Sequence, residues 1–510
     1  MLDRGVLRQR GFCYMLVLDH LKQYAEQTPQ HEALVFEDRV WTYAELYEGA
    51  KKVAHYLAEA GVQKGDIVAQ FMLNSDYFMI VYYGIQLTGA TVMPVNTKLA
   101  PPEVDYIFMH SQAKVLIFDE QLAATVDATT HTFEKVVTRT DITAVTASEE
   151  PTTFVEEKLE ADDIAVIMYT SGTTGKPKGV MLSHNNVIET AEIWSISMDL
   201  VPEDRTFICT PLFHCAGSHV FAVPTLVSGA TLVVGEAFSP ANTLKALVET
   251  RSTIFFGVPA MYTILLSKPE MKTYSFDDLR LFCYGAAPMP YELIKQLKNN
   301  FPNVQVQNVY GQTESTPATS TLLDEHSLLK IGSVGKPLAR TEIRLFDANG
   351  EEVPVGKVGE ICVKGPQVMQ GYLRNSEETA KTVVNGWLHS GDLGRFDEEG
   401  FLYIVDRKKD MIIRGGENIY PIEVEEVLYQ IPQVLEAAVV GIPHEVYGEV
   451  PKAFVVAKQG EQLTEQDVLA YCESQLAKYK LPYEVDFLNE LPRNASGKVL
   501  KHTLRPQQTV

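Results

Sequence analysis

Ten consecutive residues, Thr170 to Gly179, combine three glycines, four hydroxyl side chains and two lysines. Glycines let backbone N–H groups turn toward a bound anion, hydroxyls add hydrogen-bond donors, and lysines add positive charge, so the segment suits a polyphosphate. The spacing is not that of a P-loop, because Thr170 stands where that motif has its first glycine. A flexible surface linker is the plainer alternative, but linkers rarely carry two lysines and a proline straight after an apolar run.

Around this loop, strand-like and helix-like patterns alternate. The apolar run Ile164 to Tyr169 predicts a buried strand before the loop, and Tyr43 to Ala60 predicts a helix. Residues 33–36 and 40–42 predict a hairpin. Further strands are predicted at Ile67 to Met72, Ala90 to Val95, Val115 to Phe118, Thr206 to Cys209, Thr231 to Val234, Ile254 to Phe256, Leu279 to Cys283 and Val304 to Val309. This alternation predicts an α/β fold with parallel sheets covered by helices.

The patterns divide the chain into two domains and a leading segment. Residues 15–408 predict a large N-terminal domain, which past Gly332 changes to short alternating strands that form a small β subdomain. Residues 409–510 predict a small, mobile α+β domain at the C terminus. Residues 1–14 hold three arginines before a very short apolar patch, so we expect them to be disordered or a non-native start.

Composition narrows the class of protein. The 510 residues are 45% hydrophobic, and 44 basic against 66 acidic residues give a net charge of −22. This charge argues against a nucleic-acid partner but leaves room for a local basic nucleotide site. The six cysteines lie far apart with no CxxC pair, so the sequence suggests neither a disulfide framework nor a zinc site, and it favours the reducing cytoplasm. No apolar run reaches the ~18 residues of a membrane span, and peripheral membrane contact stays open.

Three further stretches carry side chains suited to bind a ligand. Pro211 to His219 sets two histidines in a largely apolar run, although a histidine there is as often a satisfied core residue. Tyr284 to Pro288 carries small residues after a strand, which let a flat ring approach the backbone, and structural tightness would explain them nearly as often. Tyr310 to Glu314 places a ring, a hydroxyl and a carboxylate at a strand end, where open α/β sheets bind ligands. A carboxylate near a phosphate loop is best explained by Mg²⁺.

The remaining candidate stretches are less specific on their own. Trp387 to Gly394 sets Asp392 between glycines, which suits hydrogen bonds from vicinal hydroxyls, although a plain turn would look the same. Asp406 to Asp410 predicts a charged, exposed segment or linker. The pair Gly415-Gly416 follows it, and Leu491 to Lys498 ends on a lysine that by itself would be typical of a solvated tail.

Together and in this order, these stretches resemble the adenylate-forming enzymes, the superfamily of acyl-CoA synthetases, nonribosomal-peptide adenylation domains and firefly luciferase. The resemblance extends from about Leu16 to Lys501 and is closest to bacterial fatty-acyl-CoA synthetases. One departure is Gln312, where many fatty-acyl relatives carry an aliphatic residue, and it leaves the acyl chain open.

The resemblance implies a nucleotide site and a magnesium site. The residues implied at the nucleotide are Thr170, Ser171, Gly172, Thr173, Thr174, Gly175, Lys176, Lys178, Gly285, Ala286, Ala287, Asn308, Tyr310, Gly311, Thr313, Asp392 and Arg407. Among them, Tyr310 would stack on adenine, while Asp392 and Arg407 would hold the ribose hydroxyls. Glu314 and Thr170 would hold Mg²⁺.

The resemblance also implies catalytic residues, an acyl pocket and a moving domain. Lys498 would bridge the substrate carboxylate and the α-phosphate, and the implied catalytic residues are Lys498, Glu314 and His214. The acyl pocket would take in His214, Cys215, Phe256, Tyr284 and Gly285, within the ranges His214 to His219, Phe255 to Tyr262, Tyr284 to Ala287 and Thr313 to Thr316. The small domain would turn about Lys409 and bring Gly415-Gly416 to the thiol tunnel for coenzyme A.

The function implied is that of an acid:CoA ligase that uses ATP, Mg²⁺ and coenzyme A on an apolar carboxylic acid, with a medium- or long-chain fatty acid preferred. Aryl, cyclic and short-chain acids stay open, as do a luciferase-like oxygenase and a homodimer. An enzyme that loads an amino acid onto a carrier protein is disfavoured, because Cys215 to Val220 contains no acid to hold an ammonium. A non-catalytic nucleotide sensor is disfavoured by the presence of Glu314 and Lys498.

Overall fold

The computed structural model describes residues 15–149, 154–170, 176–408, 410–415, 417–493 and 499–505. The predictions for residues 1–14, for Ser171, Gly172, Thr173, Thr174 and Gly175, and for Lys409, Gly416 and Lys498 lie outside these described residues.

The described residues form two compact units. The first comprises the chain up to Ile331 with Pro337–Glu342 and Val363–Leu388. The second comprises Gly332–Lys336, Ile343–Cys362 and the chain from His389 on. The predicted domain boundary between residues 408 and 409 stays a prediction.

The helices are mostly short and amphipathic, and local capping fixes several of their starts. At Thr42, for example, the hydroxyl accepts a hydrogen bond from the Glu45 N–H at 3.2 Å, and the Glu45 carboxylate accepts one from the Thr42 N–H at 2.8 Å. A π-helical segment, Ala216–Ala222, lies in the first unit. The α-helices are α1 Val17–Gln27, α2 Tyr43–Glu59, α3 Asp76–Leu87, α4 Pro101–Ser111, α5 Ala123–Asp127, α6 Arg139–Ala147, α7 His184–Ser197, α8 Val223–Val227, α9 Pro240–Glu249, α10 Pro259–Leu266, α11 Tyr291–Asn300, α12 Ser376–Thr382, α13 Pro421–Leu428, α14 Glu465–Gln475 and α15 Lys501–Leu504.

The strands follow the apolar runs of the sequence. They are β1 Glu32–Phe36, β2 Arg39–Thr42, β3 Ile67–Phe71, β4 Thr91–Pro94, β5 Val115–Phe118, β6 Lys135–Thr138, β7 Ile164–Thr170, β8 Lys178–Ser183, β9 Arg205–Ile208, β10 Thr231–Val234, β11 Ile254–Gly257, β12 Leu281–Gly285, β13 Gln305–Tyr310, β14 Ser320–Leu322, β15 Ser333–Pro337, β16 Glu342–Phe346, β17 Gly359–Lys364, β18 Gly371–Tyr372, β19 Val383–Val384, β20 Trp387–Phe396, β21 Leu402–Arg407, β22 Ile412–Arg414, β23 Glu417–Ile419, β24 Val434–His444, β25 Gly448–Ala457 and β26 Glu484–Phe487.

The first unit contains two sheets, with strand orders β18-β8-β7-β4-β3-β5-β6 and β14-β13-β12-β11-β9-β10-β1-β2. The inner strands pair in parallel, for example β3 with β4 and β12 with β13. Strands such as β4 and β11 are buried throughout, as parallel strands covered on both faces should be. The predicted α/β fold class is confirmed, and β1 and β2 form the predicted hairpin.

The second unit contains one sheet in the order β16-β17-β20-β21-β15 and another in the order β23-β22-β25-β24, with β26 beside β25. It excludes one alternative and corrects one prediction. Trp387 to Gly394 do not form a plain turn, because residues 387–396 form the strand β20. Asp406 is only 1% exposed, so the predicted exposed segment begins later. The Asp406 carboxylate can be buried because it accepts hydrogen bonds from the N–H groups of Arg407 at 2.6 Å and Ile422 at 3.1 Å.

None of the helices in the described residues combines the length and the apolar character that crossing a bilayer requires. The described cysteines are free and buried, at Cys209, Cys215, Cys283, Cys362 and Cys472.

Candidate active site

The neighbouring strands β12 and β13 bring two predicted residues together at their carboxyl ends. Their parallel register sets Tyr284 opposite Asn308. The Asn308 side chain hydrogen-bonds the Tyr284 hydroxyl, while its buried Oδ1 has no partner among the described residues. A buried acceptor without a donor costs about 1–3 kcal/mol. Asn308 therefore fits a ligand that brings an N–H donor, such as the amino group of adenine.

The chain leaves β12 through small residues. A Cβ placed on Gly285 would lie 2.5 Å from the carbonyl oxygen of Val309, so no larger residue fits there without a shift of the backbone. Ala286 adopts a φ of +65°, and Ala286 and Ala287 are exposed. Because their side chains are single methyl groups, a flat ring can reach the backbone at this point, as predicted for the nucleotide.

A carboxylate and a hydroxyl follow directly after β13. Tyr310 ends this strand, and Thr313 and Glu314 lie in a short 3₁₀ turn, Thr313–Ser315. Tyr310, Thr313 and Glu314 are each half-buried, so they are partly open to a ligand. Gly311 allows the turn, since a Cβ there would overlap the carbonyl of Pro317.

Glu314 is held by a residue that the sequence did not single out. The Tyr372 hydroxyl, from β18, donates a hydrogen bond to Glu314 Oε1 at 3.0 Å. Burial, the charge of Glu314 and this hydrogen bond raise the pKa of Tyr372 far above its usual value, so the phenol stays a neutral donor. A carboxylate oxygen offers more than one lone pair, so Glu314 keeps acceptor capacity for a cation. No spacing rule connects Tyr372 to Glu314, because Glu314 lies in a turn after β13 whereas Tyr372 lies in β18 of the other sheet.

The two lysines of the phosphate loop each lie over an aromatic ring. Lys176 Nζ is 5.5 Å from the Tyr106 ring centroid, and Lys178 Nζ is 4.7 Å from that of Tyr372. Lys178 also forms an ion pair with Glu378 at 2.5 Å. The two lysines, Tyr106 and Tyr372 border a cleft of about 220 Å³. A phosphate group bound at Lys178 would compete with Glu378, a second residue that the sequence analysis missed.

Thr170 is the last residue of β7, where its register partner in β8 is Lys178. The hydroxyl of Thr170 and the carboxylate of Glu314 are hard oxygen donors, the type that Mg²⁺ prefers. Their chemistry therefore fits the predicted magnesium site.

The predicted acyl-binding motif leads into the π-helical segment, and such segments are often found at functional sites. His214 Nδ1 accepts a hydrogen bond from the Ala216 N–H at 3.3 Å, and His214 is half-buried. Cys215 is buried, and burial followed by the charge of Glu314 raises the pKa of its thiol. The acyl-binding motif thus lies within electrostatic reach of the predicted magnesium ligand.

Two residues of the predicted acyl pocket lie on different faces of the sheet. Phe256 stacks on Phe221 of the π-helical segment, with ring centroids 4.4 Å apart. Tyr284 belongs to the core cluster that contains Phe255 and Tyr262. Side chains alternate between the two faces of a strand, and the register of β11 and β12 sets Phe256 opposite Cys283, so Phe256 and Tyr284 point to opposite faces. Tyr284 faces the nucleotide residue Asn308, and the acyl-pocket assignment of Phe256 and Tyr284 stays a prediction.

The second unit holds the predicted ribose residues and one glycine of the predicted thiol tunnel. Arg407 Nε lies 2.8 Å from Asp392 Oδ1, and these residues face each other across β20 and β21. Two charged groups fixed in this way can hydrogen-bond vicinal hydroxyls. Gly415 has a φ of +59°, and its N–H donates to the Tyr447 carbonyl at 2.8 Å.

Two known protein families match this chain. The AMP-binding enzyme family matches residues 21–373, and the AMP-binding enzyme C-terminal domain matches residues 423–498. The chain belongs to the AMP-binding enzymes. The first of these two matched regions, residues 21–373 of this AMP-binding enzyme, includes the predicted phosphate loop, the Pro211 motif and Glu314.

Curated and solved relatives share nearly the whole length of this AMP-binding enzyme. Feruloyl-CoA synthase from Amycolatopsis sp is 39% identical over 482 residues, which cover 94% of this chain and 96% of that protein. Long-chain-fatty-acid–CoA ligase FadD13 from Mycobacterium tuberculosis is 38% identical over 498 residues, covering 96% and 97%. O-succinylbenzoate coenzyme A synthetase (MenE) from Bacillus subtilis, solved with ATP and magnesium ion, superposes with a TM-score of 0.86 at 34% identity, covering 95% of this chain and 98% of that one.

These relatives confirm the predicted superfamily and its acyl-CoA synthetase branch. They also confirm the predicted class, an AMP-forming acid–CoA ligase, and its use of ATP, Mg²⁺ and coenzyme A. The roles of the individual site residues stay predictions.

Proposed function

We propose that this AMP-binding enzyme activates an apolar carboxylic acid, preferably a medium- or long-chain fatty acid, with ATP and passes the acyl group to coenzyme A. The observation that carries the proposal is that one unit contains both features: the buried Asn308 Oδ1, which has no partner among the described residues, and the Glu314 carboxylate, which accepts a hydrogen bond from Tyr372. The first suits a base with an amino group, and the second suits the cation that accompanies a triphosphate.

The first half-reaction needs charge neutralisation more than proton transfer. A carboxylic acid with a pKa near 4–5 is ionised at neutral pH, so its oxygen attacks the α-phosphorus of ATP without a general base. This brings an anion onto a polyanion. The bound Mg²⁺ would offset part of the negative charge of the phosphates. Glu314 and Thr170 would hold the ion, Tyr372 would fix the Glu314 carboxylate, and Lys498 would neutralise the oxygens at the reacting centre.

The bond from the α-phosphorus to pyrophosphate breaks in that step and leaves an acyl-adenylate. In the second half-reaction, the sulfur of coenzyme A attacks the acyl carbon and AMP departs with the bonding electrons. Lys498 and the pantetheine arm need the same space, so we propose that the C-terminal domain turns about Lys409 between the steps. Gly415 and Gly416 would then let the backbone pass close to the arm.

An aryl acid is the second candidate substrate. The relatives divide between both classes, since FadD13 is a long-chain-fatty-acid–CoA ligase and the Amycolatopsis protein is a feruloyl-CoA synthase. The stacked pair Phe221 and Phe256 next to the His214 motif favours aromatic as well as aliphatic groups. We rank the fatty acid first because the motifs resemble those of bacterial fatty-acyl-CoA synthetases most closely, while Gln312 is a departure that leaves the acyl chain open.

A screen of pyrophosphate release tests both the reaction and the substrate. Fatty acids of increasing chain length and cinnamic and benzoic acids are compared, each with and without coenzyme A. We expect release with fatty acids and an acyl-CoA product only when coenzyme A is present. A preference for aryl acids would select the second candidate, and a preference for amino acids or indifference to coenzyme A would refute the proposal.

The Lys498→Ala variant separates the two half-reactions. We expect it to lose adenylate formation by about 10²-fold or more, as for other lost transition-state contacts, while transferring the acyl group from supplied acyl-adenylate to coenzyme A almost normally. Equal loss of both steps would contradict the proposed role of Lys498. A cytoplasmic location and a homodimer stay part of the proposal, and gel filtration with light scattering tests the latter.

A further inference from the structure

A cluster of three different metal-binding side chains lies in the second unit and shares no residue with the predicted nucleotide or acyl sites. Glu360 and Cys362 are on β17 and His389 is on β20. His389 Nδ1 is 3.3 Å from Cys362 Sγ and 3.2 Å from Glu360 Oε2. One potential ligand atom from each side chain lies within 4.8 Å of the other two. Alternation along β17 puts Glu360 and Cys362 on the same face, toward His389.

We propose that Glu360, Cys362 and His389 bind a thiophilic divalent cation of the Zn²⁺ class. Zn²⁺ takes sulfur, imidazole nitrogen and carboxylate oxygen in tetrahedral sites, with metal–ligand distances of about 2.3 Å to sulfur and about 2.0–2.2 Å to nitrogen and oxygen. From these distances, the edges of the tetrahedron are about 3.5 Å from sulfur to nitrogen and about 3.3 Å from nitrogen to oxygen. The two spacings at His389 Nδ1 are within about 0.3 Å of these edges, and the sulfur and the carboxylate oxygen lie within 4.8 Å of each other.

Hydrogen bonds satisfy the Glu360 carboxylate, which accepts from the Gly391 N–H at 3.2 Å and from Lys408 Nζ at 3.1 Å, but His389 Nδ1 is shared between Glu360 and Cys362. A neutral imidazole Nδ1 either carries a hydrogen or offers a lone pair. If Nδ1 carries the hydrogen and donates to Glu360, the Cys362 thiol faces an N–H group. If Nδ1 instead accepts from the Cys362 thiol, its lone pair side also faces the lone pairs of Glu360. A cation accepts electron pairs from all three atoms at once. The mixture of donors also distinguishes this site from Glu314, since a hard ion such as Mg²⁺ prefers oxygen alone.

Charge and access set the conditions for binding. Cys362 is fully buried, but the side chains of His389 and Lys408 are 25% and 56% exposed, so an ion can enter from their side. Lys408 Nζ lies 3.1 Å from Glu360 Oε2 and competes with a cation for this carboxylate. Burial raises the pKa of Cys362 to about 12, so its proton must leave as the ion binds, as happens to a coordinating thiol.

Cobalt(II) is the probe, because tetrahedral Co²⁺ bound to a thiolate gives a sulfur-to-metal charge-transfer band in the near ultraviolet. The full chain is stripped with a chelator and titrated with Co²⁺ in excess Mg²⁺, and Zn²⁺ is then added. We expect one Co²⁺ per chain with this band, unchanged by Mg²⁺ and removed by Zn²⁺. Absence of the band from the wild-type protein would overturn the proposal.

Variants tie the band to the cluster. Cys362→Ser should lose the band and weaken binding by about tenfold or more, whereas Cys472→Ser, at a cysteine buried in the apolar cluster of the C-terminal residues, should keep both. Lys408→Met removes the competing ammonium and should tighten binding by about tenfold. Because this variant leaves the three ligands intact, it tests the geometry even if Cys362→Ser fails to fold. A band that persists in Cys362→Ser, or an affinity that Lys408→Met leaves unchanged, would refute the site.

Discussion

The contact between Tyr372 and Glu314 makes a quantitative prediction about metal dependence. Tyr372→Phe removes one hydroxyl and keeps the ring over which Lys178 lies. The lost hydrogen bond, 3.0 Å long, ends on a carboxylate. Hydrogen bonds to charged groups contribute about 1.5–3 kcal/mol. Glu314 is half-buried, so solvent can replace part of the bond, and we take about 1.5–2 kcal/mol.

This free energy corresponds to roughly a 10- to 30-fold effect at about 1.4 kcal/mol per factor of ten. We expect the Mg²⁺ concentration at half-maximal rate to rise within this range in Tyr372→Phe, because the carboxylate that holds the ion is no longer oriented. Since the pKa of Tyr372 lies far above its usual value, the phenol is protonated throughout the assay range and the effect should not depend on pH between 6 and 9.

Pyrophosphate release at saturating acid and ATP, measured across a Mg²⁺ titration, provides the assay. Tyr262→Phe is the matched control, because the buried Tyr262 hydroxyl donates to the backbone carbonyl of Cys283 at 2.7 Å and contacts no carboxylate among the described hydrogen bonds. It should lower stability and leave the Mg²⁺ dependence unchanged. An unaltered Mg²⁺ curve in Tyr372→Phe, or the same shift in both variants, would refute the reasoning.

Three further predictions concern stability and domain coupling. Gly311→Ala should lower the free energy of unfolding, measured by urea titration, by about 1–3 kcal/mol or more, because its Cβ would overlap a backbone carbonyl. Gly49→Ala on α2, whose nearest neighbour would be 3.5 Å away, should be neutral or stabilising. Burial lowers the pKa of His219 from 6.5 to about 3, so the unfolded chain gains a proton first as pH falls. The free energy of unfolding should therefore fall by up to about 1.4 kcal/mol per pH unit as the pH drops from 6.5 toward 3. In His219→Gln it should fall less steeply. Urea titrations that give both proteins the same dependence of unfolding free energy on pH would contradict this. Lys501 lies three residues after the predicted catalytic Lys498, and Lys501→Met breaks its 2.8 Å ion pair with Glu425. It should cost about 1–3 kcal/mol of stability and slow adenylate formation more than acyl transfer, and equal slowing of the two half-reactions would show that the pair does not position this segment.

The parallel sheets could be predicted because the signal is local. A strand covered on both faces must be apolar along its length, so runs such as Val115–Phe118 and Thr231–Val234 are recognisable without knowledge of their neighbours. The strand β20 was missed as a strand because its glycines and charged residues are also typical of turns. Asp406 was wrongly predicted to be exposed, since only the fold brings the Ile422 N–H to its carboxylate, in addition to the N–H of the neighbouring Arg407.

By itself, the sequence determined the α/β class, the family and the order of the ligand-binding stretches, because each depends on residues that are close together in the chain. Tertiary structure alone decided which side chains meet. It placed Tyr372 on Glu314 from 58 residues away and brought Cys362 to His389 across 27 residues. It also turned Phe256 and Tyr284 to opposite faces of one sheet. Such contacts depend on strand register and on the packing of sheets, and neither is encoded in the spacing of residues along the chain.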